Sequence, residues 1–193
     1  MRTPAAHADT RFTYDDFVLF PDDGKRHEII DGEHYVTPSP NVRHQVLVGR
    51  LWFEIELYLR ANPGAGHVFL SPLDVVLSHW DVVEPDVLFV AGDQPDILTE
   101  KNIQGPPALV VEVLSKSTRK RDAQIKRRLF ERTGVREYWL VDPELDTVQL
   151  FRPSPEGKLA RVVELTAEDS DVLTTPLLPG CQIDLRKLFR ASP

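Results

Sequence analysis

The chain has 193 residues, 41% of them apolar and 27% charged, a composition that excludes a disordered, collagen-like or disulfide-stapled protein. Its single cysteine, Cys181, can form neither an internal disulfide nor a multi-thiolate metal site. The net charge of −7, from 23 basic and 30 acidic residues, argues against non-specific nucleic-acid binding by the chain as a whole.

The apolar runs of the sequence are short. The longest uninterrupted run is 87–91, far below the about 18 residues that a membrane-spanning helix needs. The polar start of the chain has no signal-like apolar region. We therefore expect no membrane partner, a cytoplasmic location, a flexible N-terminus over residues 1–11 and a single domain over residues 12–193.

The first part of the chain predicts a hairpin followed by a helix. Residues 27–30 and 34–37 flank Asp31-Gly32, a turn pair that supplies the positive φ values of a tight hairpin. An amphipathic helix is then expected over 42–61. Its apolar residues recur at helical spacing: Leu47, Leu51, Ile55 and Tyr58.

Most of the remaining chain predicts strands. Three apolar stretches rich in β-branched residues are expected to be the central strands: 67–77, 86–90 and 108–114. A second helix, a buried strand and a peripheral hairpin follow at 119–133, 137–141 and 147–165. This order predicts an α/β (α+β) fold, in which helices flank a mixed β-sheet core and β-hairpins lie towards both ends of the chain.

Two carboxylates lie in stretches that are otherwise suited to burial. Glu112 shares one face of its predicted strand with Val110 and Leu114, because strand side chains alternate with a period of two. Asp86 follows Pro85 and opens another apolar run. An isolated buried carboxylate is costly, so each must be protonated, paired or bound to a cation.

The second predicted helix belongs to a basic segment, 116–128, with seven Lys or Arg residues and one acid. A rotation of about 100° per residue places Asp122 and Lys126 on the helix face towards the protein. Three other basic side chains point outward, where they meet solvent or a polyanion: Lys120, Arg127 and Arg128.

Two acids and a lysine around a small space can bind a divalent cation and hold a water beside it, as metal-assisted phosphodiester hydrolysis requires. Oxygen ligands favour Mg²⁺ or Mn²⁺, and Mg²⁺ usually takes only one or two protein carboxylates. The same residues are compatible with a buried Glu–Lys ion pair and a strand-start aspartate. Residue spacing leaves both interpretations open.

The order of the motifs resembles that of a known family. The motifs are Glu84-Pro85-Asp86, the strand 107–115 with Asp122 and Lys126 after it, and the segment 134–143. With the hairpin and the helix that carries His44, they resemble the Uma-type bacterial family of predicted restriction endonucleases, within the PD-(D/E)XK nuclease superfamily. The resemblance covers about residues 12–189.

This resemblance implies a restriction-endonuclease-like fold and an Mg²⁺-dependent (or Mn²⁺-dependent) endonuclease whose partner and substrate is DNA. It implies that Asp86 and Glu112 are metal ligands, with the backbone carbonyl of Val113 as a third. Lys126 would be the catalytic lysine. The chain departs from the superfamily pattern because Leu114 stands two residues after Glu112, so the lysine has moved to the following helix.

Several residues have secondary predicted roles. Glu28 either completes the acidic site or is a charged hairpin-edge residue. Ser115 and Asp122 are expected to cap or position the helix that carries Lys126. His44 is either a structural histidine or a substrate contact. The outward basic residues are expected to contact DNA phosphates: Lys120, Arg127 and Arg128.

Two other functions stay open at this point. One is a nuclease-fold DNA-binding or assembly module that does not cut. The other is an oligomeric domain with an internal ion pair, in which neither metal nor nucleic acid matters. For a nuclease we expect a homodimer, because paired active sites suit the cutting of two strands.

Overall fold

The computed structural model describes residues 11–191, and the elements below are numbered in chain order within that range. The first sheet is built around a hairpin whose turn residues, Asp31 and Gly32, have φ angles of 54° and 80°. Such left-handed turns match the natural twist of a hairpin, and the predicted hairpin is confirmed. The strands of this sheet, in spatial order, are β2 (Glu33–Thr37), β1 (Arg26–Ile30), β5 (Asp81–Val83), β4 (Val75–Ser78) and β7 (Ile103–Gln104).

The second sheet has six strands and forms the centre of the molecule. In spatial order they are β11 (Leu159–Thr166), β10 (Thr147–Pro153), β9 (Glu137–Asp142), β8 (Leu109–Val113), β6 (Val87–Ala91) and β3 (Gly66–Leu70). Strands β8 and β9 run parallel, whereas every other neighbouring pair of this sheet is antiparallel. The mixed sheet and the β10–β11 hairpin confirm the predicted fold class.

The single strand predicted over 67–77 is wrong. The segment divides into β3 and β4, which belong to different sheets. Pro72 lies between them, and its lack of an N–H removes a donor that a continuous strand would need. Strands β5 and β7 were also not predicted, because runs of two or three residues are too short to show a period.

Helix α2 (Val42–Ala61) has the predicted bounds. The Asn41 side chain caps its start by accepting a 2.9 Å hydrogen bond from the His44 amide. One face of the helix packs on the second sheet, where Leu47, Leu51 and Ile55 join the core around Trp139.

The second predicted helix contains an unusual turn. Residues Arg121–Lys126 are π-helical and continue into α3 (Arg127–Thr133), which ends at Gly134 with φ 90°. The crossover between the parallel strands β8 and β9 is made by this helix. A π-turn rotates less per residue than an α-turn, yet Asp122 and Lys126 are both buried, as predicted.

The C-terminal part docks on the core through a short ribbon and a helix. The ribbon is β12 (Val172–Leu173) with β13 (Ile183–Asp184), followed by α4 (Leu185–Phe189). At the other end, α1 (Tyr14–Phe17) lies beside the first hairpin. Apart from Arg11, the predicted flexible N-terminus lies outside the described residues. None of the helices within 11–191 has the length and apolarity to cross a membrane.

Candidate active site

A cleft of about 320 Å³ opens where the β1–β2 hairpin, the start of α2 and the end of β8 meet. Its wall contains Asp86, directly before β6, and Glu112 and Val113, on β8. The segment after β8 forms another side of the cleft, and its Ser115 hydroxyl accepts a 3.2 Å hydrogen bond from the Thr118 amide. The cleft therefore collects the strand ends that carry the predicted metal ligands.

Asp86 is 1% exposed and is held from three sides. Its Oδ1 accepts a 2.7 Å hydrogen bond from the Arg26 guanidinium, and its Oδ2 accepts one of 2.9 Å from the Val113 amide. The His44 Nε2 lies 3.1 Å from the same Oδ2. Burial alone would raise the pKa of Asp86, but the hydrogen bond and charge of His44 and the charge of Arg26 lower it to about 2.

Lys126 is 2% exposed and lies between two carboxylates. Its Nζ is 2.6 Å from Glu28 Oε1 and 2.7 Å from Glu112 Oε1. The Glu28 oxygen also accepts a 3.0 Å hydrogen bond from the Glu84 amide, which fixes it against the segment that joins β5 to β6. Burial lowers the pKa of Lys126, but the charges of Glu112, Glu28 and Asp122 raise it above its usual value, so the side chain is cationic.

The π-turn places two more charged groups behind this lysine. Asp122 Oδ1 lies 4.0 Å from Lys126 Nζ, and it is buried without a hydrogen-bond partner. Arg121 donates a 2.7 Å hydrogen bond to the Thr37 hydroxyl and lies 3.4 Å from Glu28 Oε2. These contacts tie the helix to the hairpin across the cleft.

The cluster contains more acids than cations. Its five buried carboxyl groups are Glu28, Glu84, Asp86, Glu112 and Asp122, and its three permanent cations are Arg26, Arg121 and Lys126. Full ionisation of these groups, His44 left aside, would leave five negative charges against three positive ones. Burial raises the pKa of Glu112 well above its usual range, and the charges of Asp86 and Asp122 raise it further. The cluster therefore takes up a proton or a further cation.

The cleft wall offers oxygen donors. Asp86, Glu112 and the Val113 carbonyl present the oxygen atoms that hard divalent cations prefer, and the cluster holds more carboxyl groups than permanent cations. Within residues 11–191 no group of three or more His, Cys, Asp or Glu side chains is arranged to enclose a metal. Two protein carboxylates suffice for Mg²⁺, because water and phosphate oxygens complete its shell.

The predicted phosphate contacts lie outside the cleft lining. Lys120 and Arg128 are exposed on the outward face of the helix, and Arg127 lies over the Phe151 ring at 5.3 Å. The basic residues that line the cleft itself are Arg26, Lys116, Arg119 and Arg121. The structure brings together five of the predicted site residues: Glu28, Asp86, Glu112, Asp122 and Lys126. The three predicted phosphate contacts lie apart from them.

Sequence reasoning missed Arg26. The signal was present, since Arg26 and Glu28 alternate with Ile30 on one face of β1. This alternation alone does not indicate a functional residue, because charged side chains are common at the edge of a hairpin. The contact of His44 with Asp86 depends on how α2 packs on the second sheet. The sequence of the helix contains no sign of that packing.

The two mixed sheets and their flanking helices define an α+β protein with a buried charge cluster beside the cleft. The sequence model of the Uma2 family, described as "Putative restriction endonuclease", matches residues 14–186, and the chain belongs to this family. Among solved structures it is similar to one described as a "putative nuclease belonging to DUF820" from Anabaena variabilis ATCC 29413. That likeness has a TM-score of 0.77 and 18% identity, over 92% of this chain and 97% of the other. A search of curated proteins finds no match.

Proposed function

We propose that the protein is a metal-dependent endonuclease that hydrolyses DNA phosphodiester bonds in this cleft. The observation that carries the proposal is that Asp86 and Glu112 lie in one cavity wall, with the buried Lys126 behind it, where its Nζ is 2.7 Å from Glu112 Oε1. Family membership supports the same reaction class. The proposed substrate, DNA, is a polyanion that needs local positive charge, and four Lys or Arg residues line the cleft.

Asp86, Glu112 and the Val113 carbonyl are the groups that would hold Mg²⁺ or Mn²⁺. When bound, the ion would polarise the scissile phosphate and lower the pKa of a water. Arg26 and His44 fix the orientation of Asp86, so its carboxylate is positioned before any ligand arrives.

Lys126 has an electrostatic part in this proposal. Because its pKa lies above the usual value, it keeps its proton at neutral pH and does not accept one from water. Its ammonium group orients Glu112 and supplies positive charge behind the cleft wall. Glu28 sets the position of the ammonium from the opposite side.

A second candidate is the nuclease-fold module that binds DNA without cutting. It is favoured by one observation: both Asp86 oxygens already accept hydrogen bonds, from Arg26 and from Val113. In this case the contacts of Asp86 would permanently take the place of a bound metal. DNA would then bind equally well with and without a divalent ion.

The test is plasmid nicking by the wild-type protein and two variants, Glu112→Gln and Glu168→Gln. Glu168 is exposed and has no part in the proposed site, so its variant is the matched control for the loss of one carboxylate. We expect Mg²⁺ or Mn²⁺ to support nicking by wild type and control and chelator to abolish it. We expect Glu112→Gln to lose about 100-fold or more in rate while unfolding at a similar urea concentration.

Equal activity in Glu112→Gln and wild type would contradict the proposed site. Binding of DNA without product from supercoiled, linear or single-stranded substrates, with either ion, would favour the non-cutting module. An RNA substrate tested in parallel separates a deoxyribonuclease from a nuclease of broader range.

A further inference from the structure

A second cavity, of about 360 Å³, lies between α1 and the first sheet. Its wall includes the half-buried rings of Tyr14, Phe17 and Phe20 and the carboxyl groups of Asp74 and Glu84. Among the residues that the structure describes, it shares no lining residue with the cleft of the candidate active site. This α1 cavity therefore combines acidic and aromatic groups at a place that the proposed nuclease reaction does not use.

The two acids of the α1 cavity lie opposite each other at the end of a strand pair. Val75 of β4 lies opposite Val83 of β5 in an antiparallel register. The next positions along this register are Asp74, directly before β4, and Glu84, directly after β5. Opposite residues of such a pair have Cβ atoms about 4.5–5.5 Å apart, and like charges there are destabilising. A cation between the two carboxyl groups would remove this repulsion.

Neither carboxyl group is paired with a basic side chain within residues 11–191. Glu84 is 8% exposed, and its Oε2 is buried without a hydrogen-bond partner. Burial raises the pKa of Asp74 above its usual value, and no basic group of the described residues lowers it. Two basic residues of the lining, Lys25 and His27, already contact Asp23, at 2.8 and 2.9 Å. Because an unpaired buried carboxylate is costly, this end of the cavity suits a positively charged ligand.

We infer that the α1 cavity binds a small organic cation, with its ammonium or guanidinium group between Asp74 and Glu84 and its carbon atoms on the aromatic rings. The volume lies within the range of about 300–1,000 Å³ that is typical of small-molecule sites. Lys101, the third basic residue of the lining, is exposed, and an exposed ammonium group gains little from pairing with these acids. The inference does not depend on the proposed nuclease activity.

The aromatic wall favours an organic cation over a bare metal ion. The rings of Tyr14 and Phe17 have centroids 6.5 Å apart, and those of Phe17 and Phe20 lie 5.7 Å apart. The Asn102 side chain donates a 2.9 Å hydrogen bond to the Tyr14 hydroxyl, which holds the first ring in place. The faces of such rings attract an organic cation within about 6 Å of the ring centroid. A metal ion would instead need several oxygen ligands, and phenyl rings offer none.

The experiment is isothermal titration calorimetry of the full chain with two amines. Agmatine carries a guanidinium and an ammonium group, whereas pentylamine carries one ammonium group, so the pair also distinguishes the two head groups. Wild type should bind at least one of them saturably. Pentan-1-ol, an uncharged molecule with the same carbon chain as pentylamine, should not bind.

Variants of the cavity place the bound amine. Asp74→Asn and Glu84→Gln should each weaken binding at least about tenfold, because each removes a charge-assisted hydrogen bond. Phe17→Leu should weaken it about threefold through loss of a ring face. Asp96→Asn, which removes an exposed carboxylate outside the cavity, is the matched control and should bind as wild type does.

Stability gives a second readout that a merely damaged fold would not reproduce. Because the two acids repel each other, Asp74→Asn without amine should unfold at a higher urea concentration than wild type. Added amine should then raise the unfolding midpoint of wild type more than that of the variant, since only wild type holds both carboxylates. A variant that is less stable than wild type and gains equally from the amine would contradict the inference.

Three results of the titration would overturn the inference. The first is wild type that binds neither amine saturably. The second is binding that is unchanged in both Asp74→Asn and Glu84→Gln, which would reflect general attraction to a chain of net charge −7. The third is full displacement of the amine by Mg²⁺ at constant ionic strength, which would make the acid pair a metal site.

Discussion

Glu28 Oε1 lies 2.6 Å from the Nζ of Lys126, so a strand of the first sheet fixes a lysine that faces the acids of the second. Neither partner is more than 2% exposed. The contact joins the hairpin to the π-turn and determines where the ammonium group lies relative to Glu112. Glu28 is thus a positioning residue in the proposed site.

Glu28→Gln should lower the nicking rate at saturating DNA by about 10- to 100-fold, because small displacements of a catalytic group have effects of that size. The KM should change much less, since the side chain is buried behind the cleft. Steady-state nicking measures both. Glu33→Gln, an exposed change in the same hairpin, is the control. A Glu28→Gln protein with full activity would remove Glu28 from the site.

Lys126→Met should destabilise the protein by about 3–5 kcal/mol, because it leaves Glu28 and Glu112 buried without their cation. Urea unfolding measures this loss. If the cluster also holds a metal, Mn²⁺ should raise the melting temperature of the variant more than that of wild type, since the ion replaces the missing charge. A large destabilisation with no effect of Mn²⁺ on either protein would support the purely structural ion pair.

The core of the site could be predicted from local patterns. Glu112 stands out because strand alternation places it among apolar neighbours, and Lys126 because it shares a helix face with Asp122. These are short-range properties of one strand and one helix. Their burial confirms the reasoning, while their catalytic roles stay predictions.

The remainder depends on contacts between distant segments. Arg26 reaches Asp86 only because β1 pairs with β5, and the sequence contains no local sign of that pairing. The π-turn was also not predictable, since Arg121–Lys126 has the composition of an ordinary helix. The outward placement of Arg127 over Phe151 depends on the position of β10 in the same way.

The pH dependence of stability should reflect Asp81, which is 2% exposed. Its oxygens accept hydrogen bonds of 2.7 and 3.0 Å from Arg132 and one of 2.9 Å from the Asp31 amide. Burial raises the pKa of Asp81, but these bonds and that of Ser78 lower it below its usual value. A lowered folded-state pKa means that the stabilisation is complete above the unfolded value of about 3.9 and is lost as the pH falls through the folded one.

Asp81→Asn should therefore be less stable than wild type by about 1–2 kcal/mol at pH 7, a modest figure because Arg132 is partly exposed. The difference should shrink as the pH falls below about 3.9, where Asp81 of the unfolded chain takes up its proton, and should vanish below the lowered folded-state pKa. Urea unfolding at a series of pH values measures it. Asp96→Asn, at an exposed site, should track wild type throughout. A difference that is the same at pH 3 and pH 7 would show that charge is not the cause.

Lys116 is the most accessible cation of the cleft, with 89% of its side chain exposed. If it meets a duplex phosphate, Lys116→Ala should reduce the slope of log K against log salt by about 0.9 and weaken binding similarly for all sequences. We expect the same from Lys120→Ala and Arg128→Ala, where the duplex extends over the outward helix face.

The control is Arg136, which pairs with Asp93 at the far end of β9. Its alanine variant should leave the slope unchanged. Fluorescence anisotropy with a labelled duplex at several salt concentrations measures these slopes. If the slope is unaltered in Lys116→Ala alone, DNA binds along the outward helix face and not at the mouth of the cleft. If it is unaltered in all three variants, the basic segment does not bind DNA.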